Sequence, residues 1–320
     1  MKVLLQEAAS LIKNDKIVAV PSETVYGLAA NALSDNACRE IYRIKNRPTN
    51  NPLIVHVSGY EQASELAYFD ELAKNLVNKF WPGPLTIVLK SKNKISKIAS
   101  NFGDTIALRA PDHEDFLNLI KLSKVPIAAP SANLSTRISP TTPEHVAKNF
   151  PNLPIIYSKA GSYGIESAII DLSAGKPKIL RHGFITQDLI EKELGESIFP
   201  YPSTIENVDS ENSAVFKNLK APGMLKKHYS PRCPIRINAK YAAKNEIAIN
   251  FGDSDIGGAE QFNLSKSANL AEAASKLYTI LYKSEEKVLI GSLKSIVVAP
   301  VPNQGIGIAI NDKLIRASYK

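Results

Sequence analysis

An α/β (α+β) fold in two units is predicted by three features of the sequence. Its 320 residues exceed the usual span of one domain. Short apolar runs alternate with stretches of helical periodicity over the first 186 residues. A Ser-, Asn- and Pro-rich stretch, 187–231, then interrupts the periodicity before a second strand-and-helix pattern fills 232–320.

The elements follow in order. "IVAV" (17–20) predicts a buried strand, and "PSETVYGLAANAL" after it a strand exit with Thr24 and Tyr26 at its mouth. Ser34 is a candidate N-cap for a helix over 35–45, with Cys38, Ile41 and Tyr42 at helical spacing. "LTIVL" (85–89), "TIALR" (105–109), "PIAA" (126–129) and "SAIIDL" (167–172) predict further strands, and 114–122 a helix. In "SPTTPEHVAKNF", Pro143 suits a first helical turn. Beyond the linker, "PIRIN" (234–238), "EIAINFG" (246–252), a helical "NLAEAASKLYTILYKSEE", "SIVVAPV" (295–301) and a last helix in "NDKLIRASY" predict a small open Rossmann-like sheet.

Composition narrows the function classes. Lys and Arg number 39 against 31 Asp and Glu, a net charge of +8 that suits anionic substrates or nucleic acid, and no run of five like charges forms a basic tail. Cys38 and Cys233 lie far apart without a C-x-x-C pair, against a structural zinc site or a disulfide framework and consistent with a reducing cytoplasm. "MKVLLQEAAS" is too short in apolar residues for a signal sequence, and no apolar run approaches the ~20 residues of a membrane span. The phosphate loop, the G-x-S-x-G elbow and the full dinucleotide fingerprint are all absent.

Polar groups inside apolar strands carry the chemistry. In "NPLIVHV", alternation puts Leu53, Val55 and Val57 on one face and Ile54 and His56 on the other. Lys45 and Arg47 precede it, so His56 is either a satisfied core residue or one wall of an anion pocket. In "TIALRAP", Thr105, Ala107 and Arg109 share a face, and a strand-borne arginine needs an anion, from an acidic neighbour or from a ligand. "AAPSANLSTRISPT" frees backbone N–H groups and the Ser131, Asn133, Ser135 and Ser139 side chains for phosphate oxygens. Glu23 binds a metal or caps a turn. His113, His145 and His182 sit among polar residues, which predicts solvated side chains.

"PSETVYGLAANA", "KNRPTNNPLIVHV", "FWPGPLTIVL", "TIALRAP", "PIAAPSANLSTRISPT", "GIESAIIDL" and "ILRHG" together resemble the YrdC-like family. "APGMLKKHYSP" and "APVPNQGIGIAINDKL" look like the linker and extra domain of its two-domain threonylcarbamoyl-AMP synthase form. The resemblance implies a twisted open-sheet domain with a concave pocket over 1–186, a lid-forming linker over 187–231 and a small Rossmann-like domain over 232–320. It implies a nucleotidyltransferase that condenses L-threonine, bicarbonate and ATP, with Mg²⁺ carried by the nucleotide, to threonylcarbamoyl-AMP and pyrophosphate. A downstream tRNA threonylcarbamoyl transferase complex would use the product on adenosine in tRNAs reading codons that begin with A.

By motif position the resemblance implies that Thr24, His56, Arg109, the backbone at Ala129 and Ser167 hold threonine, with Arg109 bidentate on its carboxylate. Arg47, Asn51, Thr105, Ser131, Ser139, Arg181 and Tyr229 would hold ATP, with Lys45 near the phosphates; Lys45, Arg47 and Ser131 are the catalytic candidates. Ser22 and Ala168 stand where the family usually has threonine, and Ala168 is expected to face away from Ser167 with weakened local hydrogen bonding. The competing reading is a tRNA- or double-stranded-RNA-binding protein, which would need surface cations and stacking aromatics. The related carbamoyl-transfer enzymes of hydrogenase maturation carry zinc-finger cysteine pairs that this sequence lacks.

Overall fold

Alternating burial along short β-branched strands builds one large sheet. The computed structural model of the protein describes residues 1–158, 161–199 and 226–319. Its first sheet holds β1 (Lys2–Val3), β2 (Val18–Val20), β3 (Gly27–Asn31), β4 (Ile54–His56), β5 (Leu85–Lys90), β6 (Thr105–Arg109), β7 (Ile127–Ala128), β8 (Ile155–Ile156), β9 (Ala168–Asp171) and β10 (Lys178–Arg181). Their spatial order is β1-β8-β2-β3-β7-β4-β6-β5-β9-β10, with parallel and antiparallel pairs mixed.

The strand faces divide as alternation dictates. Leu53, Val55, Val57, Ile106 and Leu108 enter the main core beneath the helices Asp35–Lys45 and Glu71–Phe80, while Ile54 and Ala107 join Val88, Ile169 and Leu180 on the floor of the opposite, concave face. The helix Asp35–Lys45 is capped as expected: Ser34 Oγ accepts from Ala37 N, and Asn46 ends the helix in the left-handed region at φ 50°. Pro143 opens the helix Pro143–Asn149.

The second sheet holds β11 (Ile235–Arg236), β12 (Glu246–Asn250), β13 (Glu260–Asn263) and β14 (Ser295–Val298) in the order β11-β14-β12-β13, all parallel. The helices Leu270–Ile290 and Ile306–Ser318 pack against each other and on the sheet. β13, "EQFN", carries too few apolar residues for its sequence to announce a strand; parallel pairing with β12 makes it one.

Two expectations change. Residues 187–194 are the helix Gln187–Leu194, whose Ile190 and Leu194 join the main core, so the stretch read as linker begins with an element of the first unit. Most of the remaining lid, 200–225, lies outside the described residues. The histidines are less solvated than expected: His145 is buried and stacked on Tyr282 at 3.9 Å, and His113 and His182 are half-buried. Polar neighbours in sequence are not neighbours in space.

Candidate functional site

Strand register brings the expected groups into a row. β4 pairs in parallel with β6 so that His56 lies opposite Arg109, and β7 flanks β4 on its other side, with Ala129 N donating to Ile54 O. The exits of β2 and β7 close on each other: Leu28 N donates to Pro130 O and Ala132 N to Tyr26 O. A Cβ on Gly27 would sit 3.2 Å from Ala129 Cβ, and glycine is what permits this approach.

These elements enclose a cavity of about 50 Å³. Thr24, Arg47, His56, Arg109, Ala129, Ser131, Arg181 and Tyr229 line it, together with Glu166 and His228. Lys45, Asn51, Thr105, Ser139 and Ser167 lie outside that lining. Thr105 shares the concave face with Arg109 but sits at the other end of β6, roughly 13 Å away at the usual strand rise, so only an elongated ligand reaches both.

Each side chain is held by groups that its motif supplies. Ser22 Oγ donates to Val25 O at 2.6 Å and lies 2.9 Å from Thr24 Oγ1, so serine here keeps a working hydroxyl. Arg109 Nη2 reaches Thr24 Oγ1 at 3.1 Å and Glu23 Oε1 at 2.5 Å, and its Nε donates to Gly83 O. Glu23 is therefore the buried counter-ion of Arg109, replacing both roles expected for it. With Nε and Nη2 engaged, only Nη1 remains for a ligand, so the bidentate grip expected from the resemblance does not fit this arrangement. Ala129 N–H is taken, which leaves its carbonyl as the backbone group to present.

The cationic side is built the same way. Arg47 donates through Nε to Asn51 O and through Nη2 to Pro52 O, each at 3.1 Å; burial pulls its pKa down to about 10. Arg181 donates to Ser167 O at 2.9 Å and Ser167 Oγ at 3.0 Å, and Ser167 Oγ lies 2.7 Å from Thr86 Oγ1. Ser167 thus braces Arg181 from behind, fully bonded despite Ala168, which faces the main core. Lys45 is 1% exposed and its Nζ donates to Ser131 O and Asn133 O, both at 2.5 Å. Burial, then the Arg47 charge, pushes its pKa well below that of ordinary lysine. It ties down the 131–133 strap beneath the cavity, where the resemblance placed it near phosphates.

Neutral rings face these cations. Burial first, then Arg109, holds His56 well below the usual histidine range, and its ring stacks on Phe116 at 4.8 Å. Burial and then Arg47 do the same to His228. Tyr229, at φ 60°, is 1% exposed, its hydroxyl has no hydrogen-bond partner among the described residues, and burial raises its pKa. Three guanidiniums, two neutral imidazoles and one carboxylate make a site for an anionic ligand that also carries hydrogen-bond donors. Glu166 and His228 escaped the sequence reading, although "GIES" and "KKHY" contain them.

The chain was compared with known proteins. The Sua5_yciO_yrdC family model, described as "Telomere recombination", matches residues 10–183, and a model described as "Threonylcarbamoyl-AMP synthase, C-terminal domain" matches residues 185–318. A threonylcarbamoyl-AMP synthase of Pyrococcus abyssi is 36% identical, covering 97% of this chain and 93% of that protein. One of Bacillus subtilis is 34% identical, with coverages of 98% and 92%. The crystal structure of P. abyssi Sua5 complexed with L-threonine superposes with TM-score 0.85 at 34% identity, covering 99% of this chain and 96% of that one.

Proposed function

The chain belongs to the Sua5/YciO/YrdC family in its two-domain form, and from that premise we propose that it joins L-threonine, bicarbonate and ATP into threonylcarbamoyl-AMP and pyrophosphate. The observation that carries this reading is the juxtaposition, in one buried cavity, of the Arg109–His56–Ala129 row with the Arg47 and Arg181 guanidiniums.

Threonine sits along the row. Its carboxylate meets Arg109 Nη1 and its ammonium or hydroxyl meets the Ala129 carbonyl and Thr24, with His56 completing the wall and Ser167 acting from behind through Arg181. ATP lies across Arg47 and Arg181, with Ser131 and Tyr229 beside it and Asn51, Thr105 and Ser139 further out. The amine, its ammonium proton lost to solvent, adds to the carbon of CO₂ with release of a second proton, or to that of bicarbonate with loss of water. An oxygen of the resulting carbamate forms a bond to the α-phosphorus as the bond to the β-phosphate oxygen breaks, and the electron pair leaves with pyrophosphate. No covalent enzyme nucleophile is required, so rate comes from positioning and from guanidinium charge on the phosphates. This makes the enzyme a nucleotidyltransferase. Mg²⁺ arrives on the triphosphate, as it commonly does through phosphates and water.

A space of about 50 Å³ admits a few waters, not a nucleotide, so the His228–Tyr229 segment opens for entry and closes over the product. Closure protects a mixed anhydride from hydrolysis. We place the enzyme in the cytoplasm, upstream of a tRNA threonylcarbamoyl transferase complex; no helix among the described residues is long and apolar enough to cross a membrane. The test is pyrophosphate release from ATP with Mg²⁺ and bicarbonate, with and without L-threonine, and mass detection of the adenylate. Threonine-dependent release with the adenylate is expected, and threonine-independent release or none would overturn the reading.

A further inference from the structure

The helix Leu270–Ile290 of the second unit reaches the site of the first. Tyr278 Oη donates to Glu166 Oε2 at 2.7 Å, and Ser139 Oγ donates to Glu166 Oε1 at 2.5 Å. All three residues are buried, and Glu166 lines the cavity. The same helix face holds the segment that carries Ser139: Tyr282 Oη donates to Ile138 O at 2.8 Å, and Thr279 Oγ1 meets Thr141 Oγ1 at 3.0 Å.

We propose that Glu166 is the acceptor for a donor group on the nucleoside part of ATP, the ribose hydroxyls or the adenine amine, and that Tyr278 is its positioning residue from the C-terminal domain. This rests on the ATP-binding reading above and deepens it. A carboxylate offers lone pairs, and phosphate oxygens also only accept, so Glu166 repels the triphosphate and suits the nucleoside. Each Glu166 oxygen takes one donor from the protein and keeps lone-pair capacity for a ligand. Arg181 donates to Ser167, the next residue along, and Tyr278, which donates to Glu166, stacks on Tyr229 at 5.7 Å, so Glu166 lies at the Arg181–Tyr229 end of the cavity. Burial, and then Glu166, keep the Tyr278 phenol far above its ordinary pKa, so it remains a donor. Ser139, its own proton committed to Glu166, acts through that carboxylate.

The experiment is steady-state pyrophosphate release by the full chain, varying ATP and threonine separately, for Tyr278→Phe, Glu166→Gln and their double variant, with Lys283→Ala, at an exposed position of the same helix, as a control. The expected result is KM for ATP raised about tenfold in each single variant, a double variant no worse than Glu166→Gln, and KM for threonine unchanged. Lys283→Ala matches the wild type. ATP, 2′-deoxy-ATP, 3′-deoxy-ATP and the triphosphate lacking the 6-amine then identify the donor: the analogue without it loses its penalty in Glu166→Gln. An active wild type with KM for ATP unchanged in Tyr278→Phe, or with both KM values and thermal stability moving together, would overturn the proposal and leave the synthase reading standing. A folded wild type without threonine-dependent release would overturn both.

Discussion

Arg109 Nη2 stands 2.5 Å from Glu23 Oε1, with both side chains about 95% buried and neither Glu23 oxygen receiving an aligned hydrogen bond from the described residues. The contact is one of charge, and it makes the arginine proposed to face threonine a part of the core. Arg109→Ala then does two things at once. It strands a buried carboxylate, costing about 3–5 kcal/mol, and it removes the proposed threonine anchor. Adding Glu23→Gln should restore much of the stability but none of the threonine affinity, as urea melts and threonine titration would show. Equal stability in the single and double variants would refute the pairing; unchanged threonine affinity would take Arg109 out of the pocket.

Local features were legible in the sequence. The faces of 53–57 and 105–109, the helix over 35–45 and its Ser34 cap follow from alternation and capping, which depend on near neighbours. What stayed hidden depends on contacts between distant segments. Lys45 reads as a phosphate ligand until Ser131 and Asn133, 86 and 88 residues on, supply the carbonyls it binds. Glu166 gains its second donor from a tyrosine 112 residues away, and His145 becomes buried because Tyr282 covers it. No periodicity encodes such pairings.

His145 ties stability to pH. Burial, the largest cause, lowers its pKa from 6.5 to about 4. Between those values the unfolded chain binds more protons than the folded one, so stability is fully present above pH 6.5 and falls as pH drops through about 4. The loss amounts to roughly 3 kcal/mol for this residue. His145→Phe, which keeps a ring for Tyr282, should flatten the difference between melts at pH 7 and pH 4.5. An unaltered pH dependence would remove His145 as a contributor.

Lys45→Met should weaken the strap under the cavity. It removes the donor to two buried carbonyls while keeping the apolar stem, a change worth on the order of 2–3 kcal/mol. Ser131 would lose its fixed position, so ATP turnover should fall together with thermal stability. A drop in turnover at wild-type stability would instead put the ammonium on the phosphates.

Gly183→Ala tests the close approach behind Arg181. A Cβ there would lie 2.1 Å from Ala168 N and 2.5 Å from Ser167 C, both backbone atoms that cannot swing aside. β10 would have to move from β9, taking Arg181 with it. The expected result is a loss of about 3 kcal/mol or more and nucleotide binding near background. Wild-type melting would mean that this segment packs less tightly than described.

Tyr229→Phe separates stability from function. The Tyr229 hydroxyl is buried without a hydrogen-bond partner among the described residues, and an orphaned polar group costs about 1–3 kcal/mol in the folded state. Deleting it should leave the free protein as stable as the wild type or more so, because the ring keeps its packing against Tyr278 and His228. If the hydroxyl instead waits for ATP, the variant should show a higher KM for ATP with unchanged threonine affinity. The two readouts have opposite signs, which general damage cannot produce. A destabilised variant with normal nucleotide affinity would assign the hydroxyl to the fold and remove Tyr229 from the ATP site.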